Sequence, residues 1–398
     1  MTLPVPPPVS PMLAKLAREL PMGEQWSYEP KWDGFRCIVF RDGDTVELGS
    51  RNEKPLTRYF PELVEPLKAA LPDPAVVDGE IVIMTDGGLE FELLSQRIHP
   101  AASRIEKLAV ETPAAFVAFD LLADFVDRRQ EPFEVRRGLL EQLVTPNVSV
   151  RVAPRTRDAD VAAGWFDQFE GAGLDGLVVK DVEGTYRPGE RGWLKVKHLR
   201  TADVVVGGFR VHKDGAGVGS LLLGLFDDDG TLHHIGVASS FDAKTRASLA
   251  EQLEPYRTGA LEGHPWGDWA SAAGAESEGQ RRPGAVSRWN AKKDLSWEPI
   301  RVVLVAEVAY EHMQGDRFRH TARLQRWRPD REPHSCTYEQ LEVPVPVTLR
   351  TVFDAGRSGA GSVRRQAAVD RPQDRSAARD VTVHVVRRFT QFGQGSPR

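Results

Sequence analysis

A lysine set between two carboxylates, at the mouth of a strand-turn-strand unit, constrains this chain more than any other feature. The stretch is Tyr28-Glu29-Pro30-Lys31-Trp32-Asp33-Gly34-Phe35-Arg36. Tyr28 and Glu29 read as the end of a strand. Asp33-Gly34 reads as a tight turn, because glycine accepts backbone angles that other residues resist. Arg36 to Phe40 then reads as a second strand, so Lys31 points into a cleft. A lysine becomes a nucleophile when burial or nearby cations lower its pKa. Attack on phosphorus gives a phosphoramidate, and such a site needs cations for phosphates and carboxylates for a metal. Taken alone, the same stretch fits a lysine in a surface ion pair, and the rest of the chain has to decide.

Several later segments supply what such a site needs. Arg36–Phe40 and Thr45–Leu48 flank an Asp-Gly turn and read as a hairpin. Ser50-Arg51-Asn52 follows it, with a fork suited to oxyanions. Val76 to Ile83 is a buried-strand pattern broken by Asp78-Gly79-Glu80, where a carboxylate is costly unless paired, hydrogen-bonded or metal-bound. Phe119 lies in another apolar strand, Phe116 to Leu122; on burial statistics alone it reads as core. Pro132–Val144 and Asp160–Phe169 carry helical periodicity. Leu174-Asp175-Gly176 leads into a Val-rich strand, and Trp193-Leu194-Lys195-Val196-Lys197 puts two ammonium groups on one strand face. Those two lysines can hold oxyanions and depress the pKa of Lys31.

Together these segments resemble the covalent nucleotidyltransferases, and in particular the short bacterial ATP-dependent DNA ligases of the ligase C type, over about residues 10–345. Lys31-x-Asp33-Gly34-x-Arg36 matches their first motif. The resemblance implies an α+β adenylation (nucleotidyltransferase) domain with antiparallel sheets and flanking helices, followed by an OB-fold β-barrel. It implies Lys31 as the residue that takes AMP from ATP. It implies Glu29 on the adenine amino group, Arg51 on the ribose and phosphate side, and Phe119 stacked on the adenine. Glu80 would serve ribose or metal, and Asp175, where the family usually has Glu, would be a Mg²⁺ (or Mn²⁺) ligand. Arg36, Lys195 and Lys197 would hold phosphates. Arg328-Pro329-Asp330-Arg331 resembles the closing Arg-x-Asp-Lys motif, with Arg328 acting on the leaving pyrophosphate and Arg331 in place of lysine. The partners implied are ATP and nicked duplex DNA. An RNA ligase or capping guanylyltransferase of the same superfamily, or a non-catalytic DNA-binding protein on this scaffold, is the alternative reading.

The expected organisation is an adenylation domain over 1–200, a barrel over 201–345, and a disordered Arg-rich tail over 346–398. Met12–Leu20 reads as a short helical piece, and His198–Ala202 as a hinge. Five strands, ending with Phe318–Trp327, match the number in an OB barrel. Gly259–Ser287 reads as a mobile loop. Within Arg317–Arg331, Arg317, Arg319 and Arg323 share a strand face suited to phosphates. The net charge is −5, but Leu349–Arg398 carries +6, leaving −11 for the rest. DNA would therefore be held by local basic patches. Two cysteines are too few for a disulfide framework or a Cys-rich zinc module, and no apolar run approaches a membrane span. A monomeric cytoplasmic enzyme is the expectation.

Overall fold

The computed structural model describes residues 3–267, 296–341 and 344–355. Two sheets form the first half. The larger runs β4 (Thr45–Ser50), β3 (Phe35–Asp42), β5 (Ala75–Thr85), β7 (Ala114–Ala123) and β8 (Val150–Val152), with the short β6 (Gly88–Leu89) beside β5. The smaller runs β1 (Leu13–Leu16), β10 (Arg191–Val196), β9 (Leu177–Asp181) and β2 (Trp26–Pro30). All pairings are antiparallel except β1 with β10 and β7 with β8. Side chains alternate along a strand, so β3 feeds two cores: Ile38 and Phe40 face the smaller sheet, while Cys37 and Val39 face the helices behind. The helices Phe133–Leu143 and Ala159–Gln168 form where their periodicity places them.

The second half is a barrel. Its sheet runs β13 (Leu232–Ala238), β12 (Val218–Phe226), β11 (Arg200–Val211), β14 (Glu298–Tyr310) and β17 (Arg323–Trp327), all antiparallel. A bridge from Ala238 to Ala322 brings the outer strands together, as an OB barrel requires. A separate two-stranded hairpin, β15 (Met313–Gln314) with β16 (Arg317–Phe318), precedes β17.

Local expectations fail at five places. Met12–Leu20 does not make a helix: Leu13–Leu16 is a strand, because the edge of β10 offers it backbone partners. β5 runs unbroken through Asp78-Gly79-Glu80, since β3 and β7 pair with it on both sides. Phe318 belongs to the hairpin and not to the fifth barrel strand. The stretch after Gly259 is anchored at its start, where fully buried Trp266 donates from Nε1 to the Leu232 carbonyl at 2.9 Å; residues 268–287 of that expected loop lie outside the described residues. The tail is not structureless throughout. Leu349–Ala355 is a helix that buries Leu349 and Val352 in the core of the smaller sheet and stacks Phe353 on Trp32 at 5.1 Å. Residues 356–398 lie outside the described residues.

Candidate nucleotide site

Strand register places the candidate nucleophile. β2 pairs with β9 so that Pro30 faces Leu177, and the pairing continues past both strands. The Lys31 amide donates to the Gly176 carbonyl at 2.8 Å, and the Asp175 amide donates to the Lys31 carbonyl at 3.0 Å. Gly176 has a φ of +93°, and a β-carbon there would sit 2.1 Å from the Val196 carbonyl oxygen, so a side chain is barred twice over. Gly34 acts differently from the expected turn residue. Its φ lies outside the left-handed region, but a β-carbon would lie 2.1 Å from the Ile81 carbonyl oxygen. Close approach of β5, rather than a special backbone angle, is what selects glycine there.

The lysine side chain reaches back across the same pairing, with Nζ 2.7 Å from Asp175 Oδ2. Lys197 Nζ is also 2.7 Å from that oxygen and 2.5 Å from Glu311 Oε2. The charge balance reverses one expectation. Burial pulls the Lys31 pKa down, but Asp175, Asp33 and Glu80 together outweigh it and hold the amine above its ordinary value. Lys195 carries the depressed pKa instead, through burial first and then through Lys197 and Lys31. Burial raises the Asp175 carboxyl, yet His312, Lys31 and Lys197 overcome that and leave it well below the carboxylate range. Glu80 is pushed up to about 7, mainly by burial, against the pull of Arg36 and Lys31.

One cavity of about 400 Å³ is lined by Glu29, Lys31, Arg36, Arg51, Glu80, Phe119 and Lys195. Asp175 and Lys197 join it through their ion pairs with Lys31 and with each other. Within it, the ring of Phe119 meets Trp193 edge to face, with centroids 6.0 Å apart. Arg36 is already engaged: Nε and Nη2 bond the two oxygens of buried Asp78 at 2.5 and 2.6 Å, and its guanidinium lies 4.6 Å from the Phe119 ring centre. Tyr186 donates to the same Asp78 at 2.5 Å. Arg328 is the expected residue that the structure leaves elsewhere. It is held in the barrel by Asp203 at 2.9 Å and Asp330 at 2.7 Å, and Arg331 Nε lies 3.4 Å from Asp203.

Comparison with known proteins decides the family. Residues 11–197 match the ATP dependent DNA ligase domain model, and residues 214–331 match the ATP dependent DNA ligase C terminal region. DNA ligase C of Mycobacterium tuberculosis is 54% identical over 364 residues, an alignment spanning 88% of this chain and 99% of that one. DNA ligase C1 of Mycolicibacterium smegmatis is 48% identical, covering 89% and 99%. The chain belongs to the ATP-dependent DNA ligase family. Among solved structures, the ligase domain of M. tuberculosis LigD aligns over 83% of this chain and 98% of its own, at 27% identity and a TM-score of 0.41, too low to add to that assignment.

The ligase site also holds contacts that sequence reasoning did not single out. Arg137 and Lys180 each bond one oxygen of Glu29, at 2.7 and 2.8 Å. From the barrel side, Arg319 bonds Asp33 at 2.7 Å and lies 3.7 Å from the Phe91 ring centre. Arg319 was expected on a face open to phosphates; the neighbouring Asp33 claims it instead. Arg323, on β17, does line the cavity. His312 Nδ1 stands 3.7 Å from Asp175 Oδ1. Asp78 had a sequence signal, as a carboxylate inside an apolar strand that demanded a partner, and Arg319 and Arg323 had one as a basic strand face. The partners that the barrel residues meet had none, because nothing in a linear pattern says how one domain leans on another.

Proposed function

We propose that this ligase seals nicks in duplex DNA through a lysyl-AMP intermediate, with repair as its setting. Lys31 would attack the α-phosphorus of ATP, forming the N–P bond as the bond to pyrophosphate breaks. AMP would pass to the 5′-phosphate at the nick. Attack by the 3′-hydroxyl would then form the phosphodiester and release AMP. The observation that carries this is a half-buried lysine amine, ion-paired with a carboxylate, in one cavity with an aromatic ring and a second lysine.

Each residue has a physical task. Glu29 accepts from the adenine amino group, Phe119 carries the ring face, and Arg51 meets the ribose and phosphate side. Lys195 and Lys197 answer the charge that builds on phosphoryl oxygens, the dominant need in such displacements. Arg36 is read as a positioning group, since Asp78 already satisfies its fork. Arg328 would reach the pyrophosphate only after the barrel moves over ATP, a hinge motion about the segment near residues 198–202. We place the adenylation domain in about 1–200 and the OB domain in 201–345.

Glu80 and Asp175 suit a divalent cation. Glu80 is a half-buried carboxylate on the cavity wall with no ion pair among the described residues, and two carboxylates with phosphate oxygens and waters are what Mg²⁺ takes. No cluster of three or more metal-ligating side chains exists among the described residues, so substrate oxygens would have to complete the set. A bound Mg²⁺ or Mn²⁺ would neutralise the carboxylates that now keep the proton on Lys31 and would polarise the α-phosphate.

We also propose a monomer acting in the cytoplasm, where ATP and chromosomal DNA meet. No helix among the described residues is long and apolar enough to cross a membrane. The test is covalent labelling with α-labelled ATP and a divalent cation, then sealing of a nicked duplex. Lys31→Ala is expected to abolish label uptake, by at least ~10³-fold. Label on that variant, or sealing confined to nicked RNA, would overturn the reading.

A further inference from the structure

Glu29 sits at the end of a chain of ion pairs that leads away from the cavity. Its Oε1 is 2.7 Å from Arg137 Nη1. Arg137 comes from the helix Phe133–Leu143, outside every segment that resembles a ligase motif, and its side chain is 1% exposed. It is fixed from two other sides: Nη2 donates to the Ala153 carbonyl, and Nε to Glu141 Oε1 at 3.0 Å. Glu141 in turn accepts from Arg155 at 2.9 Å, and Arg155 bonds Glu134 at 2.7 Å. Glu141 and Glu134 are each 40% exposed, so the chain runs from the cavity wall to solvent.

A buried carboxylate left to itself takes up a proton or turns toward whatever donor it finds. Glu29 is held in one orientation instead. Arg137 holds Oε1, and Lys180, on the same face of the neighbouring strand, holds Oε2 at 2.8 Å. An ionised carboxylate has about four lone-pair sites, so acceptor capacity remains on each oxygen. What remains is an acceptor in a fixed place that cannot donate. It pairs with the exocyclic amine of adenine and repels the keto oxygen that guanine has there.

We infer that Arg137 is a positioning residue for nucleotide choice: it fixes the Glu29 carboxylate as an oriented acceptor at the cavity wall, and so makes the enzyme take ATP over GTP. This rests on the reading of Glu29 as the adenine contact. Arg137 does not line the cavity and its bonds go to Glu29, Glu141 and the Ala153 carbonyl, so its loss acts on base selection rather than on the chemical step.

The test compares lysyl-nucleotide formation from ATP and from GTP in the full-length enzyme. Arg137→Met is expected to raise KM for ATP and to lower the ATP-to-GTP preference roughly 10- to 100-fold, with kcat for adenylation little changed. Arg137→Lys restores part of the preference, which a merely structural role would not do. Should Arg137→Met fail to fold, Glu141→Gln serves, because it frees one anchor of Arg137 on the solvent side; it is expected to lower the preference several-fold. Glu29→Gln separates the two levels. If Glu29→Gln leaves nucleotide preference intact, the base-reading role of Glu29 falls. If Glu29→Gln changes the preference and folded Arg137 and Glu141 variants do not, the inference about Arg137 falls alone.

Discussion

Lys197 and Arg328 were both expected on the phosphates of ATP, and the fold treats them in opposite ways. Lys197 follows β10, in the same sheet as the strand that leads into Lys31, and is ion-paired with the same carboxylate oxygen of Asp175 that Lys31 meets. Arg328 follows β17 in the barrel, where Asp203 and Asp330 occupy it. Both are cations among acids. The difference is that register inside one sheet system places Lys197 whatever the barrel does, whereas Arg328 depends on how the barrel sits. A motif on the scaffold of the nucleophile is a statement about geometry. A motif on a separate domain leaves open where that domain stands.

The sharpest way to break this comparison is to remove each cation and score the steps separately. Lys197→Ala is expected to cut adenylation by ~10²–10³-fold. Arg328→Ala is expected to cut adenylation from ATP by ~10-fold or more while leaving the sealing of a pre-adenylated nick nearly intact. Equal losses in both steps for Arg328→Ala would mean that it serves the fold, not the closed state. A smaller effect comes from the acid that the barrel lends to the site. Glu311 is bonded to Lys197 where a phosphate oxygen is expected. Glu311→Gln should free that lysine and lower KM for ATP a few-fold in steady-state adenylation, since hydrogen bonds to charged groups contribute ~1.5–3 kcal/mol each; an unchanged or higher KM would show that Glu311 assists binding.

The smallest expected effect is one of pH on stability. The Glu80 pKa rises from an ordinary 4.5 to about 7 in the folded chain. Below 4.5 both states hold the proton and the group contributes nothing. Between that value and about 7 the unfolded chain gives up its proton first, so stability falls as pH rises, and the loss is complete above the folded value. In metal-free protein, Glu80→Gln should therefore gain Tm over the parent chain on going from about pH 5 to about pH 8, on the order of 2–4 °C for each kcal/mol involved. Parallel Tm curves across that range would refute the assignment of the proton to Glu80.

How much was legible follows the same divide. The strands bearing Glu29, Glu80, Phe119 and Lys195, and the turn bearing Lys31, were readable because alternation and turn residues mark them locally, and these side chains do share one cavity. The sign of the Lys31 shift was not readable, because it depends on Asp175, Asp33 and Glu80 outweighing burial at distances no spacing gives. Leu13–Leu16 was misread because a four-residue strand at a sheet edge is fixed by its neighbour, not by its own periodicity. The helix Leu349–Ala355 was lost in an Arg- and Ala-rich background, where two or three apolar residues leave little pattern.

That helix has a consequence for where the chain can be shortened. Val347 bonds through its amide to the Gly171 carbonyl, and Phe353 leans on Trp32, the immediate neighbour of the nucleophile. Trimming the protein after the barrel would look like the removal of a loose end. It would instead take away the ring stacked on Trp32, because the segment 347–355 is packed against the loop that carries Lys31.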